Sequence, residues 1–348
     1  MPSIAFRRWS TACNWPFREG KVLSDTRINI SAGAKARPRS ALLQNWRQHV
    51  VYAGFVIIFI FFAVTLQDRG FLHANNLLNI ARQTAMVSVM AVTMTFVLSA
   101  GEIDLSVGSI AGLASVVTAM GVGSFGVIGG IVGGLGTGLV MGLINGLLTT
   151  TIGIPSFLVT LAMMGVASGS AMWISNTAAV PIIDRAYNFS FGSGNIGPVP
   201  TLLIWMAVFA VIGHVVLRRT SFGRKVLATG GSEAAARYSG VDTRSIKLRV
   251  MMLSALAAAV AGMLYAGRLH SGRFQLGEGD ELSVIAAAVL GGTSLFGGRG
   301  TVIGSIVGAL MIGLINNGLI LMGLEYSQQL VARGIIIILA VAVAGRNR

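Results

Sequence analysis

The sequence has few of the residues from which catalytic and metal sites are built. Cysteine occurs once, at Cys13, and the four histidines (His49, His73, His214 and His270) are scattered, with no pair at metal-ligand spacing on one helix. A single cysteine forms no internal disulfide and no cysteine-based metal site. The motifs of P-loop nucleotide binding, zinc peptidases and serine hydrolases are also missing. The sequence therefore predicts no catalytic, cofactor or metal site in this chain.

Charged residues are scarce as well, at 11% of 348 residues, against about 25% in soluble domains. Apolar runs recur from Val51 almost to the C-terminus, each about 20 residues long and so able to cross roughly 30 Å of hydrocarbon. They lack period-2 alternation, which favours helices over a barrel. The fold class predicted is an all-α integral membrane protein.

Basic residues set the predicted topology. They concentrate in a tail, residues 1–45, and in the segment 218–249, and the positive-inside rule places such segments in the cytoplasm. The net charge of +14 therefore needs no nucleic-acid partner. The tail has no apolar segment of the kind that a secretory signal contains. Residues 46–345 are predicted to form one polytopic domain with cytoplasmic N- and C-termini and ten spans, at about 47–66, 77–98, 105–121, 125–149, 155–175, 201–217, 250–267, 281–296, 301–322 and 327–344.

A possible internal repeat is visible in two apolar stretches. GLVMGLINGLL (138–148) resembles GALMIGLINNGLI (308–320). Many transporters are built from repeats, with the transport path between them. Chance similarity between helices rich in glycine, leucine and isoleucine is an equal alternative.

The twelve acidic residues all lie in tails, loops or span ends. Ion-coupled carriers keep carboxylates at membrane depth, where a charge costs at least about 2.5–3.5 kcal/mol. The sequence therefore disfavours an ion-coupled carrier and a channel with a charged ring. In LSAGEIDLSVGSI (98–110), Glu102 and Asp104 occupy the predicted turn between the second and third spans, and Asp104 is expected to be the N-cap of the third.

A short capped helix is predicted between the sixth and seventh spans. Ser232 is its expected N-cap, Glu233 lies in its first turn and Gly240 follows its end. Such a segment is either an ordinary connection or a rigid knob that docks in a partner's groove. Its residues are Ser232, Glu233, Ala234, Ala235, Ala236, Arg237, Tyr238, Ser239 and Gly240.

Four stretches carry a resemblance to a known family. They are NNLLNIARQTAMVSVMAVTMTFVLSAGEIDLSVGSIAGLAS (75–115), GIPSFLVTLAMMGVASG (153–169), GGSEAAARYSGVDTRSIK (230–247) and LSVIAAAVLGGTSLFGGRGTVIGSIVGALMIGLINNGLILMG (282–323). They resemble permease subunits of bacterial ATP-binding-cassette importers for monosaccharides, of the ribose/xylose type. That family also holds branched-chain amino acid permeases. The IDLSVG and GGTSLFGGRG blocks are specific to it.

The resemblance implies a non-catalytic permease subunit in the bacterial inner membrane. Its expected partners are a second permease chain, a separate cytoplasmic ATPase that binds ATP and Mg, and a periplasmic sugar-binding protein. It also implies that 232–240 is the helix that couples the ATPase to the permease. The family motif turn comprises Glu102, Asp104, Ser106 and Gly108. Many relatives have glycine immediately before IDLSVG, and Glu102 adds a charge to which no role is assigned.

The resemblance also suggests two sets of contact residues. The outer loops, 176–200 and 268–280, are expected to receive the binding protein through Arg185, Arg273, Glu278 and Asp280, although each is equally consistent with a solvated loop. The transport path is expected to be weakly polar. Its predicted lining residues are Asn145, Ser156, Thr160, Asn316 and Asn317. Hydrogen bonding between helices is the alternative role for each of them. A branched-chain amino acid or another small polar nutrient is the alternative substrate.

Overall fold

The computed structural model describes residues 41–325, 327–332 and 334–335, with side chains from residue 51 onward. Cys13, most of the predicted tail and much of the predicted tenth span lie outside the described residues. The chain divides into two units, 1–43 and 44–348. The second unit holds every element described below except the first three residues of α1.

Helices dominate the part of the chain that the structure describes. Six helical segments there are long and apolar enough to cross a membrane, and a shorter apolar segment covers Val51–Thr65. This agrees with a multi-pass α-helical protein. The α-helices are α1 Ala41–Thr65, α2 Ala74–Ser99, α3 Val107–Leu147, α4 Ser156–Ser175, α5 Arg185–Asn188, α6 Thr201–Arg219, α7 Ser221–Gly231, α8 Glu233–Tyr238, α9 Thr243–Leu269, α10 Asp280–Leu290 and α11 Val302–Leu321.

The helix α3 is a hairpin of two helical arms. Gly126 has a non-helical backbone with φ 72° and ψ −174°, a conformation that only glycine adopts readily. A methyl group on Gly121 would lie 2.8 Å from the Cα of Gly130, so the chain folds back on itself. Each arm rises about 30 Å at 1.5 Å per residue. The two arms correspond to the predicted third and fourth spans.

The predicted eighth span, 281–296, is wrong. The helix α10 has 11 residues and rises about 16 Å, roughly half of the hydrocarbon thickness. Its end is set by Gly291 and by Gly292, whose φ is +90°. The apolar run therefore continues as a non-helical loop, 291–301, before α11 begins. Composition alone predicted a full span because this loop is itself glycine-rich and mostly uncharged.

Two small antiparallel sheets lie at one end of the helices. The strand β1 (Val180–Pro181) pairs with β4 (Ser271–Gly272), and β2 (Asn195–Ile196) pairs with β3 (Val199–Pro200). The two loops predicted on the outer side therefore meet in one sheet. We call this end the sheet face. The opposite end, which α6 and α9 connect to it, carries α7 and α8 and is called the α8 face.

The helix α9 lies at the centre of the fold. It packs closely against α3 through small residues. A methyl group on Gly138 would lie 2.6 Å from the carbonyl oxygen of Ala255, and one on Gly142 would lie 2.8 Å from the Cβ of Ala255. Close approach of small residues is the usual means of helix association in membranes. Large apolar side chains of α3, α4 and α6 remain exposed, which fits contact with lipid.

Candidate functional site

Residues 232–240, which the resemblance predicts to couple the permease to an ATPase and which we call the coupling segment, form the predicted capped helix. The hydroxyl of Ser232 accepts a hydrogen bond from the backbone N–H of Ala235 at 3.3 Å. Gly240 follows α8 with φ +80°, and its N–H donates to the carbonyl of Arg237. Ala236 is buried, whereas Tyr238 is 94% exposed. The local structure was thus predictable, and the docking role of the segment stays a prediction.

The carboxylate of Glu233 faces back into the protein. Its Oε1 contacts Nη2 of Arg237 at 2.5 Å and accepts from Thr243 at 3.2 Å, and its Oε2 contacts Nζ of Lys247 at 2.7 Å. The hydrogen bond from Lys247 holds the pKa of Glu233 below its ordinary value, although burial opposes that shift. The segment is therefore tied to the first two turns of α9.

The same lysine holds Glu102. Its Nζ lies 2.7 Å from Oε1 of Glu102, and the two side chains are 18% and 9% exposed. Glu102 lies in the turn between α2 and α3, so one ammonium joins that turn to the coupling segment. We call Glu102, Lys247 and Glu233 the charge bridge. It gives Glu102 the partner that sequence reasoning did not find. Lys247 stands within the family-like stretch 230–247, but its charge was interpreted only as a topology signal.

A main-chain contact lies beside the charge bridge. Gly230, at the end of α7, touches the carbonyl of Ser99 at the end of α2, and a methyl group there would overlap that oxygen and lie 2.8 Å from N of Gly298. The N–H of Gly298 donates to the same Ser99 carbonyl at 3.0 Å. We call Ser99, Gly230, Gly231, Gly297 and Gly298 the glycine junction. It brings the GGTSLFGGRG block against the residues that precede the coupling segment.

The motif turn is an extended segment whose backbone is satisfied by α4. The N–H of Ile103 donates to the hydroxyl of Ser156, and the N–H of Leu105 donates to the hydroxyl of Thr160, each at 3.1 Å. Both hydroxyls are on buried side chains. Hydrogen bonds between helices were the stated alternative to lining a path for these residues, whereas here each hydroxyl accepts from the backbone of the non-helical motif turn. Their place along a path stays a prediction.

Asp104 does not cap the third span as predicted. The first residue of α3 is Val107 and the capping position is Ser106. Asp104 instead accepts hydrogen bonds from the N–H of Ser106 at 2.9 Å and from its hydroxyl at 2.6 Å, and Asn145 donates to that hydroxyl at 2.9 Å. The acid is fully buried because the turn folds inward. The burial of Asp104 was therefore not predictable from its position between two spans in the sequence.

The other motif-turn and path residues are divided among different contacts. A methyl group on Gly108 would overlap the carbonyl oxygen of Gly277 and lie 2.5 Å from Oε2 of Glu281, so glycine allows the loop before α10 and the first turn of α10 to approach. Asn317 exchanges two amide hydrogen bonds with Asn76, at 2.9 and 3.0 Å. This pair joins α11 to α2. Asn316, the preceding residue, lines a cavity between helices.

Three of the four predicted binding-protein contacts are exposed near the sheet face: Arg185, Arg273 and Glu278. Asp280 is placed differently. It is the first residue of α10, accepts from the hydroxyl of Tyr265 at 2.5 Å and lines the cavity, so it does not belong to an exposed rim. Within the described residues, no group of three His, Cys, Asp or Glu side chains could hold a metal ion.

Comparison with known proteins identifies relatives over most of the chain. A family model described as branched-chain amino acid transport system / permease component matches residues 76–341. The ribose import permease protein RbsC of Bacillus subtilis is 41% identical over 82% of this chain and 89% of its own length. RbsC of Escherichia coli K12 is 37% identical over 82% and 90%. The L-arabinose ABC transporter permease protein AraH of Azospirillum brasilense is 37% identical over 89% and 91%. No solved structure matches significantly.

Proposed function

The chain belongs to the family of branched-chain amino acid transport system permease components, and from that premise we propose that it is the permease subunit of an ATP-binding-cassette importer for a monosaccharide. The substrate class is supported by relatives named for ribose and L-arabinose that match over most of the chain. A branched-chain amino acid is the second candidate, because the family description names that substrate.

The proposed setting is the bacterial inner membrane. The α8 face carries most of the basic residues of 218–249, so the positive-inside rule turns it towards the cytoplasm, where a separate ATPase binds ATP and Mg. The sheet face then meets a periplasmic binding protein, with Arg185, Arg273 and Glu278 exposed near it. A second permease chain completes the complex.

We propose that α8 transmits the movement of the ATPase. Its exposed residues Ala234, Ala235 and Tyr238 form the docking surface, and the charge bridge carries a displacement of the segment to the α2–α3 turn. The observation that carries this proposal is the shared ammonium of Lys247, which lies 2.7 Å from both Glu102 and Glu233. A segment that served only as a connection would need no such tie to the turn between α2 and α3.

The test is ATP-dependent uptake into vesicles that contain the full chain, its ATPase and its binding protein, with labelled pentoses, hexoses and leucine. Tyr238→Ala is the docking variant. Removal of an exposed aromatic anchor costs binding and leaves the fold intact, so we expect weaker ATPase capture and lower uptake. Charge reversal at Glu233 is less specific, since it also breaks the charge bridge.

The matched control is Phe189→Ala, an aromatic residue that is 49% exposed in the loop between α4 and α6. It should leave ATPase capture unchanged. Sugar uptake that survives removal of the ATPase would contradict the proposed function. Uptake of leucine without any sugar uptake would replace the substrate class and keep the importer.

A further inference from the structure

Four exposed basic residues lie at the corner where α6 ends and α7 begins. Two of them end α6 and two lie early in α7. We call this group the basic corner, and it consists of Arg218, Arg219, Arg224 and Lys225. The chain has no acidic residue between Asp184 and Glu233. No carboxylate on either helix therefore offsets these four charges.

The corner is tight because α7 folds back against the last turn of α6. Only Thr220 separates the two helices, and its hydroxyl accepts a hydrogen bond from the N–H of Gly223 at 3.2 Å. A methyl group on Gly223 would overlap the carbonyl oxygen of Leu217. The cations at the end of α6 and those at the start of α7 are therefore brought near one another.

The length of α6 places the basic corner at the level of lipid headgroups. This helix has 19 residues and rises about 28 Å from the sheet face, close to the thickness of the hydrocarbon core. Its exposed apolar residues Val208, Ile212 and Val215 lie along one face at helical spacing. Arg219 follows Val215 by four residues and so continues the same face. The lipid-facing stripe of α6 thus ends in a cation.

The basic corner has few protein partners in the described part of the chain. None of the salt bridges found there involves a corner residue. Of the four side chains, only that of Arg218 hydrogen-bonds to another described residue, through Nη2 to the carbonyl of Gly300 at 3.2 Å. A guanidinium has five N–H donors, and it binds phosphate oxygens through paired donors. Donors for a phosphate are therefore available at this corner.

We propose that the basic corner binds the phosphate headgroup of an anionic phospholipid. The acyl chains lie along the apolar face of α6, and Arg219 holds the phosphate together with Arg224 and Lys225 from α7. An acidic protein surface is the other kind of partner that such a patch attracts. The lipid is favoured because Arg219 lies on the face of α6 that the exposed apolar residues direct towards lipid.

A lipid bound here reaches the glycine junction by two routes. Arg218 is hydrogen-bonded to Gly300, two residues after Gly298 of the junction. The helix α7 enters the junction at Gly230. We therefore expect the bound lipid to hold α6, α7 and the loop 291–301 in one arrangement and so to favour coupling. This consequence for transport rests on the proposed function, whereas the site itself does not.

The test measures the melting temperature of the purified full chain in a neutral detergent with added phosphatidylcholine or phosphatidylglycerol. Phosphatidylglycerol at about ten times its dissociation constant should raise the melting temperature by about 3 °C over phosphatidylcholine. The variant Arg219→Gln, Arg224→Gln, Lys225→Gln should lose this rise, because it removes the charges and keeps the Arg218–Gly300 hydrogen bond. Glycerol 1-phosphate has the phosphate without acyl chains and should give no rise at the same concentration.

The matched control is Arg244→Gln, Arg249→Gln, Arg299→Gln, which removes the same charge from exposed residues outside the corner. It should keep the rise. An equal rise in the corner variant would overturn the site, and an equal rise with glycerol 1-phosphate would overturn the lipid as its ligand. A corner variant that keeps the lipid response but no longer captures the ATPase would assign the surface to the ATPase instead.

The consequence for transport has a separate readout. ATP-dependent sugar uptake, measured in vesicles with the ATPase and the binding protein, should be higher with phosphatidylglycerol than with phosphatidylcholine alone. The corner variant should lose that difference. A lipid response in melting temperature without one in uptake would keep the site and refute its effect on coupling. Absence of ATP-dependent uptake in every lipid would refute the proposed function and leave the site standing.

Discussion

Removal of the Lys247 ammonium tests the charge bridge most directly. Lys247→Met keeps much of the side-chain length and leaves Glu102, 9% exposed, without its cation. Loss of one partner of a buried ion pair costs about 3–5 kcal/mol, and of an exposed pair about 0–1 kcal/mol. Glu233 is 36% exposed and keeps Arg237 as a partner, so loss of the Lys247–Glu233 contact costs about as much as loss of an exposed pair. We expect a total near 3 kcal/mol, mostly from Glu102.

The assay has two readouts, one on the purified chain and one on the reconstituted complex. At about 2 °C per kcal/mol for a chain of this size, Lys247→Met should lower the melting temperature of the purified chain by about 6 °C. It should also reduce the ATPase stimulation caused by loaded binding protein. The double variant Glu102→Gln, Lys247→Met leaves no unpaired buried charge at the turn. It should recover most of the stability but not the stimulation, because the link to the coupling segment stays broken.

Two results would refute this reasoning. A Lys247→Met chain with unchanged melting temperature would show that the Glu102 contact contributes nothing to the fold. A double variant with full stimulation would show that the bridge is a structural tie and carries no movement. The single variant Glu102→Gln serves as the matched control, because the amide oxygen of glutamine still accepts a hydrogen bond from Lys247 and the Lys247–Glu233 contact at 2.7 Å is retained, so both contacts of the bridge persist and most of the stimulation should be kept.

Two further predictions concern the same region. Gly230→Ala should destabilise the chain by about 1–3 kcal/mol through overpacking, since the added methyl group overlaps the Ser99 carbonyl. The control is Gly240→Ala, which tests backbone strain alone because no atom lies within 4 Å of the added methyl group. Equal melting temperatures for wild type and Gly230→Ala would contradict the close approach. The lowered pKa of Glu233 means that its stabilising contribution is fully present above its ordinary value of 4.5 and is lost as the pH falls through the lowered value. The melting-temperature difference between wild type and Glu233→Gln should therefore be constant near neutral pH and shrink in acid. A difference that grew in acid would contradict the lowered pKa of Glu233.

The sequence predicted those features of the fold that depend on local pattern. The bounds of α2, α4, α6 and α11 agree with the predicted spans within three residues, because each is a long apolar run that ends at a clear polar or breaker residue. The capped helix after Ser232 was predictable for the same reason, since a serine N-cap and a following glycine act within one turn.

The sequence did not predict features that depend on contacts between distant segments. The loop 291–301 is apolar enough to be mistaken for a span end, but its backbone leaves the helix at Gly292, whose φ is +90°, and its Gly297 and Gly298 pack against Gly230. Asp104 lies between helices in sequence yet is fully buried. The partner of Glu102 could not be found because a single sequence does not say which of many basic residues on one face lies nearest.

The glycine junction has a mechanical consequence. A contact made by long side chains is compliant, because rotamer changes absorb small displacements of either backbone. The junction has no such slack, since the main chain at Gly230 touches the main chain of Ser99 and Gly298. A push on α7 therefore reaches α2 and the loop before α11 with little lost to side-chain adjustment, and the stiffness of that route depends on residues that contribute no side chain.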